Sequence, residues 1–330
     1  MGGNTLGLQS ERLPPFDPLF RNPHWQTILG SFWQRPELPA AAESNLYQTE
    51  PAVQVLVRSQ RPEGHARGEL ILVHGLEGSS EGGYMRSAAH AALRAGFAVH
   101  RMNIRSCGGT EHLCNTLYHA GLTTDIRYLA EHLNGAGRGP LFVAGFSLGA
   151  NMVAKLAGEL GPDGKRLLAG IVSISNPLDL HACALELNHR RNWLYQRRFV
   201  VNMAARLRRR HAHMPAVFRL DGLDGVRSVY DFDDRITAPF FGFGNAPGYY
   251  GTQSSRLFLE GIEVPALFVH SKDDPMIPFR VYDHAAFGKN RHLRLLAVEH
   301  GGHVGFLARG GNRFWVDSVL VEWLREQARG

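Results

Sequence analysis

Five residues, Gly145-Phe146-Ser147-Leu148-Gly149, follow directly on an apolar run from Pro140 to Ala144 and pass at once into helix formers. Strand, sharp turn, helix is the reading, with a serine at the apex. A hydroxyl there would be pushed out past the strand end, held by a strained backbone. Strand and helix nearly collide at such a turn, so small residues are needed two positions either side, and Gly145 and Gly149 supply them. With 37 glycines in the chain the pentapeptide alone is a weak signal. Its context has to carry the argument.

A serine hydroxyl is a poor nucleophile near neutral pH, so Ser147 needs a neighbouring base. The candidate is His303, in His300-Gly301-Gly302-His303-Val304-Gly305, directly after the last expected strand. Its flanking glycines would let the loop carry an imidazole over the strand ends, and His300 is the runner-up. A third group must be a buried acid that orients the histidine and stabilises the imidazolium. Lys272-Asp273-Asp274-Pro275-Met276-Ile277-Pro278 follows an expected strand at the required place. Asp274 is favoured over Asp273 because the spacing from 274 to Pro278 matches the usual acid turn. The order serine, acid, histidine is that of α/β-hydrolases rather than of either main serine-protease class.

Acyl transfer also needs two donors aimed at a developing oxyanion. The backbone N–H of Leu148, after the serine, is one candidate. That of Leu76, in His74-Gly75-Leu76-Glu77-Gly78, is the second. A histidine base must be neutral to act, so activity is expected to fall on acidification through about pH 6 to 7.

The elements that must position these groups can be read from the same pattern. Residues 53–57, 69–73, 97–103, 140–144, 168–175, 266–270 and 293–298 read as strands, and 84–94, 123–133, 150–160 and 313–327 as helices. Thr123 or Thr124 is the expected N-cap of the second helix. Strands alternating with helices imply right-handed crossovers and a mostly parallel sheet covered on both faces. Residues 1–50 show no clean period and read as an N-terminal arm packed on the body. The core is then expected over 51–175 and 263–330, interrupted by an insertion over 176–262 that is too long for a connecting loop. An insertion at that point would lie over the pocket as a helical lid.

Composition is that of an ordinary soluble enzyme, 44% hydrophobic and 20% charged over 330 residues. No apolar run approaches the ~18 residues of a membrane span, and the start lacks a signal-peptide core. A cytoplasmic protein is the expectation. Met1-Gly2-Gly3-Asn4-Thr5-Leu6 comes near a myristoylation signal, but Leu6 stands where Ser or Thr is required. Cys107, Cys114 and Cys183 offer neither a disulfide framework nor a C-x-x-C metal site. No metal ligand set emerges around His300 and His303, or around His211 and His213, so no cofactor and no metal are expected.

The net charge of +6 is concentrated rather than spread. Residues 186–213 hold eight arginines (190, 191, 197, 198, 206, 208, 209 and 210) against Glu186. Trp193, Leu194, Val200, Val201, Ala204 and Leu207 recur among them at helical spacing, so a basic amphipathic helix with these six on its apolar face is expected. No nucleic-acid recognition motif accompanies it. Contact with an anionic membrane surface through this lid helix is the expected partner interaction beyond the substrate.

Beyond the general triad, the chain resembles the YheT-like branch of the α/β-hydrolases, family four of the AB hydrolases. The similarity rests on Asn22-Pro23-His24-Trp25-Gln26-Thr27-Ile28-Leu29, His74-Gly75-Leu76-Glu77-Gly78-Ser79-Ser80 and Tyr118-His119-Ala120-Gly121. It continues through Ile236-Thr237-Ala238-Pro239-Phe240-Phe241-Gly242-Phe243-Gly244, Tyr249-Tyr250, Asp273-Asp274-Pro275 and His300-Gly301-Gly302-His303. These motifs run in order through most of residues 20–310. Trp25 stands where leucine is usual. The resemblance implies an α/β-hydrolase fold, with Ser147, Asp274 and His303 as nucleophile, acid and base. It also implies carboxylic-ester hydrolysis, since some relatives act on acylglycerols or phospholipids. Two alternatives stay open at this point. One is an acyltransferase, thioesterase or amidase using the same triad; the other is a non-catalytic module that binds lipid or a membrane surface.

Overall fold

A computed structural model describes residues 13–39 and 41–329. The myristoylation-like start at Met1 to Leu6 lies outside the described residues. Eight strands form one sheet: β1 (Glu43–Glu50), β2 (Val53–Gln60), β3 (Glu69–Val73), β4 (Ala98–Met102), β5 (Leu141–Phe146), β6 (Gly170–Ile174), β7 (Ala266–Ser271) and β8 (Leu293–Val298). Their spatial order is β1-β2-β4-β3-β5-β6-β7-β8. Strand β2 runs antiparallel to both of its neighbours, and β4, β3, β5, β6, β7 and β8 pair in parallel. Every residue of β3 to β7 is buried, the mark of strands covered on both faces.

Successive strand residues point to opposite faces, and two cores result. Leu70, Leu72, Phe142 and Ala144 pack with α2 (Gly83–Arg94) and with the C-terminal helix Trp315–Gln327. Ile71, Val73 and Val143 pack on the other face with α3 (Thr124–Gly135) and α4 (Leu148–Leu160). Thr123 occupies the cap position of α3 but makes no capping bond; its hydroxyl goes instead to Glu159, 2.6 Å away.

The arm contains an element that its sequence did not announce. Residues 43–50 form β1, an edge strand with half its residues exposed. Polar Glu43-Ser-Asn-Leu-Tyr-Gln-Thr-Glu50 shows no buried apolar alternation because backbone pairing with β2 holds it in the sheet, while packing contributes little. Ahead of it, α1 (Pro23–Phe32) starts at Asn22, whose side chain accepts from the N–H groups of His24 and Trp25. Gln26 fixes this helix to the body: its carbonyl oxygen accepts from Leu307 N–H at 2.8 Å, and its amide donates to Leu307 and Phe20 carbonyls.

Between β6 and β7 the chain is helical. It comprises α5 (Leu180–Leu187), α6 (Trp193–His213), a run of short helical turns over 229–240 and α7 (Ala246–Gln253). One of those turns, Asp233–Thr237, is a π-helix. Helix α6 corrects the expected apolar face. Ala204 and Leu207 are buried together with Tyr195 and Met203, but Trp193, Leu194 and Val201 are exposed and Val200 is half-buried. The inner face has room for Arg206 and Arg210 because both find partners there, which leaves apolar residues on two sides of the helix. Among the described residues no helix is long and apolar enough to cross a membrane.

Candidate active site

Ser147 sits where β5 ends and α4 begins, at φ 53° and ψ −121°. A residue with a Cβ is strained there. The crowding that enforces the turn is visible at its glycines: a Cβ on Gly145 would run into the Gly149 carbonyl, and one on Gly149 into the carbonyls of Val73 and His74. Donation from Ser147 N–H to Ile174 O, 2.9 Å, ties the apex to β6.

His303 arrives on the loop after β8, where Gly302, Val304 and Phe306 all have positive φ. Its Nε2 lies 2.9 Å from Ser147 Oγ, and its Nδ1 lies 2.8 Å from Asp274 Oδ2. The other oxygen of Asp274 accepts from the N–H groups of Met276 and Ile277 at 2.8 and 3.0 Å. Burial by itself would push the Asp274 carboxyl up, but attraction and hydrogen bonding to His303, with help from His270 and Met276 N–H, hold it below the usual carboxylate range. A carboxylate facing Nδ1 favours the tautomer with its proton there, which leaves Nε2 free to accept the serine proton.

The two runners-up from the sequence are also placed, and they pair with each other. Asp273 Oδ1 accepts from Gly301 and Gly302 N–H, both at 3.0 Å, and also from the Ser271 hydroxyl. Its second oxygen faces His300 Nδ1 at 3.2 Å. Asp273 therefore shapes the loop that presents His303, and neither Asp273 nor His300 contacts Ser147.

Leu76 and Leu148 flank the serine. Leu148 is the first residue of α4, where backbone N–H groups have no intrahelical acceptor. The Gly75-Leu76 turn abuts Ser147 so closely that a Cβ on Gly75 would lie 3.0 Å from the serine Cβ. Among the described residues neither N–H donates to a protein acceptor, and both residues border the same cleft as Ser147 and His303. The turn is held by groups to which the sequence assigned no such role. Tyr84 hydroxyl accepts from Gly75 N–H at 2.9 Å. Tyr118 hydroxyl accepts from Glu77 N–H and donates to Glu77 Oε1. His74, fully buried, accepts from Ile104 N–H through Nε2 and pairs through Nδ1 with Gly75 O. Burial drives the His74 pKa down to about 4.

The cleft runs between the strand ends and the helical segment, about 760 Å³ with part of it open to solvent. Leu180, Leu187, Phe199, Met203, Val229 and Ile277 make most of its wall apolar. Arg206 and Asp233 are charged residues in the same lining. The Arg206 guanidinium is buried, paired with Glu77 at 2.8 Å and stacked 4.6 Å from the Tyr118 ring. Burial pushes Asp233 up to about 6, against hydrogen bonds from Thr237 and from Tyr250, whose hydroxyl donates at 2.8 Å. A buried charged pair needs its partner, so an arginine at 206 on an otherwise basic helix could be recognised only once Glu77 was found opposite it. Thr27 is another such group: its hydroxyl accepts from His303 N–H at 2.9 Å. Among the described residues no three His, Cys, Asp or Glu side chains converge as a metal set.

Comparison with known proteins agrees with this architecture. Residues 69–309 match the family described as alpha/beta hydrolase fold. Over 326 residues the chain is 32% identical to YheT of Escherichia coli (strain K12), whose name carries the word esterase, covering 92% of this chain and 91% of that one. It is 30% identical over 276 residues to a monoacylglycerol lipase of Saccharomyces cerevisiae, covering 79% of this chain and 59% of the lipase. Among solved structures, 2,6-dihydroxy-pseudo-oxynicotine hydrolase superposes with a TM-score of 0.60 at 18% identity, covering 87% of this chain and 68% of that one. At that identity the structural likeness speaks for the fold alone.

Proposed function

Because the chain belongs to the α/β-hydrolase family, in its YheT-like branch, we propose that it is a serine hydrolase that cleaves carboxylic esters with an apolar acyl group. The observation that carries this reading is the unbroken run of hydrogen bonds from Ser147 through His303 to Asp274 at the mouth of an apolar cleft. Ser147 Oγ attacks the ester carbonyl while His303 Nε2 takes its proton. The tetrahedral oxyanion collapses with donation from the N–H groups of Leu76 and Leu148, and the alcohol leaves with the proton from His303. Water then attacks the acyl-serine by the same route in reverse. Asp274 orients the imidazole and balances its charge without taking a proton. The names of the esterase and lipase relatives support an ester substrate, and the apolar wall supports a fatty acyl chain over a charged one.

Labelling with a fluorophosphonate, followed by peptide mass spectrometry, tests the assignment. The expected adduct is on Ser147, and an adduct on another serine would remove it. A p-nitrophenyl ester series should then show kcat/KM rising by about three- to four-fold per added methylene while the chain stays within the cleft, at ~0.8 kcal/mol per buried methylene. A maximum at acetate would place the acyl group elsewhere.

The two neighbouring acids give a sharper comparison. Asp274→Asn should lower kcat by about 10⁴-fold with the fold intact, because the amide favours the wrong imidazole tautomer. Asp273→Asn keeps an oxygen that can accept from Gly301 and Gly302, so its kcat should fall by less than about ten-fold, on the scale of one weakened hydrogen bond. Equal losses in the two variants would overturn the assignment of Asp274.

A further inference from the structure

Helix α6 has two functional-looking faces, and the cleft uses only one of them. At about 100° per residue, Leu194, Val201, Ala205 and Ala212 fall within roughly 40° of a single line along the helix. Arg197 and Arg208 lie about 40–60° to one side of that line, and Arg198 and Arg209 about as far to the other. The line faces outward: Leu194 is 50% exposed and Val201 54%. Phe199, Met203 and Arg206, on the opposite side, border the cleft above Ser147.

Three of the four flanking charges on the outer face are uncompensated among the described residues. From Trp193 to His213 the helix has no acidic residue. Arg209 is paired with Glu111. Among the described residues Arg197, Arg198 and Arg208 have no acid within salt-bridge distance, whereas the inward arginine 206 does. An apolar ridge bordered on both sides by free guanidiniums is the pattern of a helix lying in a bilayer interface. Its apolar ridge sinks to the acyl boundary, and the arginine stems reach back to headgroup phosphates. A solvated helix has no use for exposed Leu and Val aligned between arginines, and a protein partner would need matching acids within an apolar cleft.

We propose that this outer face of α6 docks on an anionic lipid surface. The bound lipid and the cleft then share one helix, with anionic headgroups outside and the acyl wall inside. Docking of this kind does not depend on Ser147 being the nucleophile, so the two readings can fail separately.

The test is vesicle flotation of the full chain with phosphatidylcholine alone and with phosphatidylcholine mixed with phosphatidylglycerol, at low and at high salt. The expected result is capture by the anionic vesicles only, weakened by salt. The triple variant Arg197→Gln, Arg198→Gln, Arg208→Gln should partition about 100-fold less, from roughly five-fold per arginine near an anionic surface. Leu194→Asn with Val201→Asn should lose about ten-fold, since it removes the ridge and leaves the charge. All five side chains are at the surface, so melting temperature and turnover of a water-soluble ester should stay at parental values in both variants. Equal capture by neutral vesicles overturns the proposal, as does equal partition of the arginine variant. So does binding of duplex DNA in place of vesicles, or a parental dimer that the Leu194/Val201 variant dissociates.

Discussion

Ser147→Ala is expected to lower kcat on a p-nitrophenyl ester by about 10⁴- to 10⁶-fold, the range seen when the nucleophile of a hydrogen-bonded triad is removed. The size of the effect follows from the geometry, because among the described residues no other hydroxyl stands within hydrogen-bond distance of His303 Nε2. The residual rate should come from binding and from the Leu76 and Leu148 donors alone. Stability should barely change. Alanine at position 147 would carry the same Cβ at φ 53° as serine does, so the strained turn is neither relieved nor worsened. The measurement is single-turnover kinetics alongside thermal melting. Parental activity in a folded variant would mean that the proton relay ends on some other group, and a variant that fails to fold would be separated from that case by its melting curve.

The second large effect concerns folding. Three histidines are buried in the neutral form: desolvation lowers the pKa of His74 and His270 to about 4 and that of His119 to about 3. In the unfolded chain each takes a proton near pH 6.5. Between pH 6.5 and 4 the unfolded state therefore binds more protons than the native one, and stability rises with pH across that window. The contribution is fully present above about pH 6.5 and is lost as the pH falls. At pH 5 the loss is about 2 kcal/mol for each histidine. Asp233 and Asp317 act with the opposite sign. Burial raises both to about 6, so native protein holds protons that the unfolded chain releases, and each returns about 1 kcal/mol on going to pH 5. The histidines win, and a net loss of about 3–4 kcal/mol between pH 7 and pH 5 is expected, a large fraction of the 5–15 kcal/mol that holds a typical domain.

Denaturant titrations at the two pH values measure this directly. His270→Phe provides the control, because the His270 ring is stacked on Tyr282 with centroids 4.2 Å apart, and phenylalanine can occupy the same place. Its acid-induced loss should be smaller than the parental one by about 2 kcal/mol. An unchanged loss would show that His270 is protonated as readily in the native protein as in the unfolded chain. Asp274 does not enter this window. Its depressed pKa contributes stability that is lost only below the usual carboxylate range.

Most of the fold was legible because its signals are local. Most of the parallel strands are largely apolar runs, and all seven of the strands expected from the sequence are present, with ends shifted by a few residues. Strand β1 was missed because an edge strand held by its backbone carries no apolar alternation. Helix α6 was legible as a helix, but its buried face was not. Hydrophobicity ranks Trp193 and Leu194 as inside and Arg206 and Arg210 as outside, and the reverse holds. A buried guanidinium depends on an acceptor elsewhere in the chain, here Glu77 for one and the Cys114 and Thr116 carbonyls for the other.

The sequence by itself determined the turn at Ser147, the serine–acid–histidine order and the parallel sheet. Each depends on residues a few positions apart: two glycines around a strained serine, an aspartate four before a proline, short apolar runs alternating with helical patterns. Tertiary structure alone decided what the neighbouring Asp273 bonds to, which residues hold the Leu76 turn, and which side of α6 faces water. Those outcomes rest on hydrogen bonds and ion pairs between groups that only folding brings within reach, and no local spacing encodes the partner.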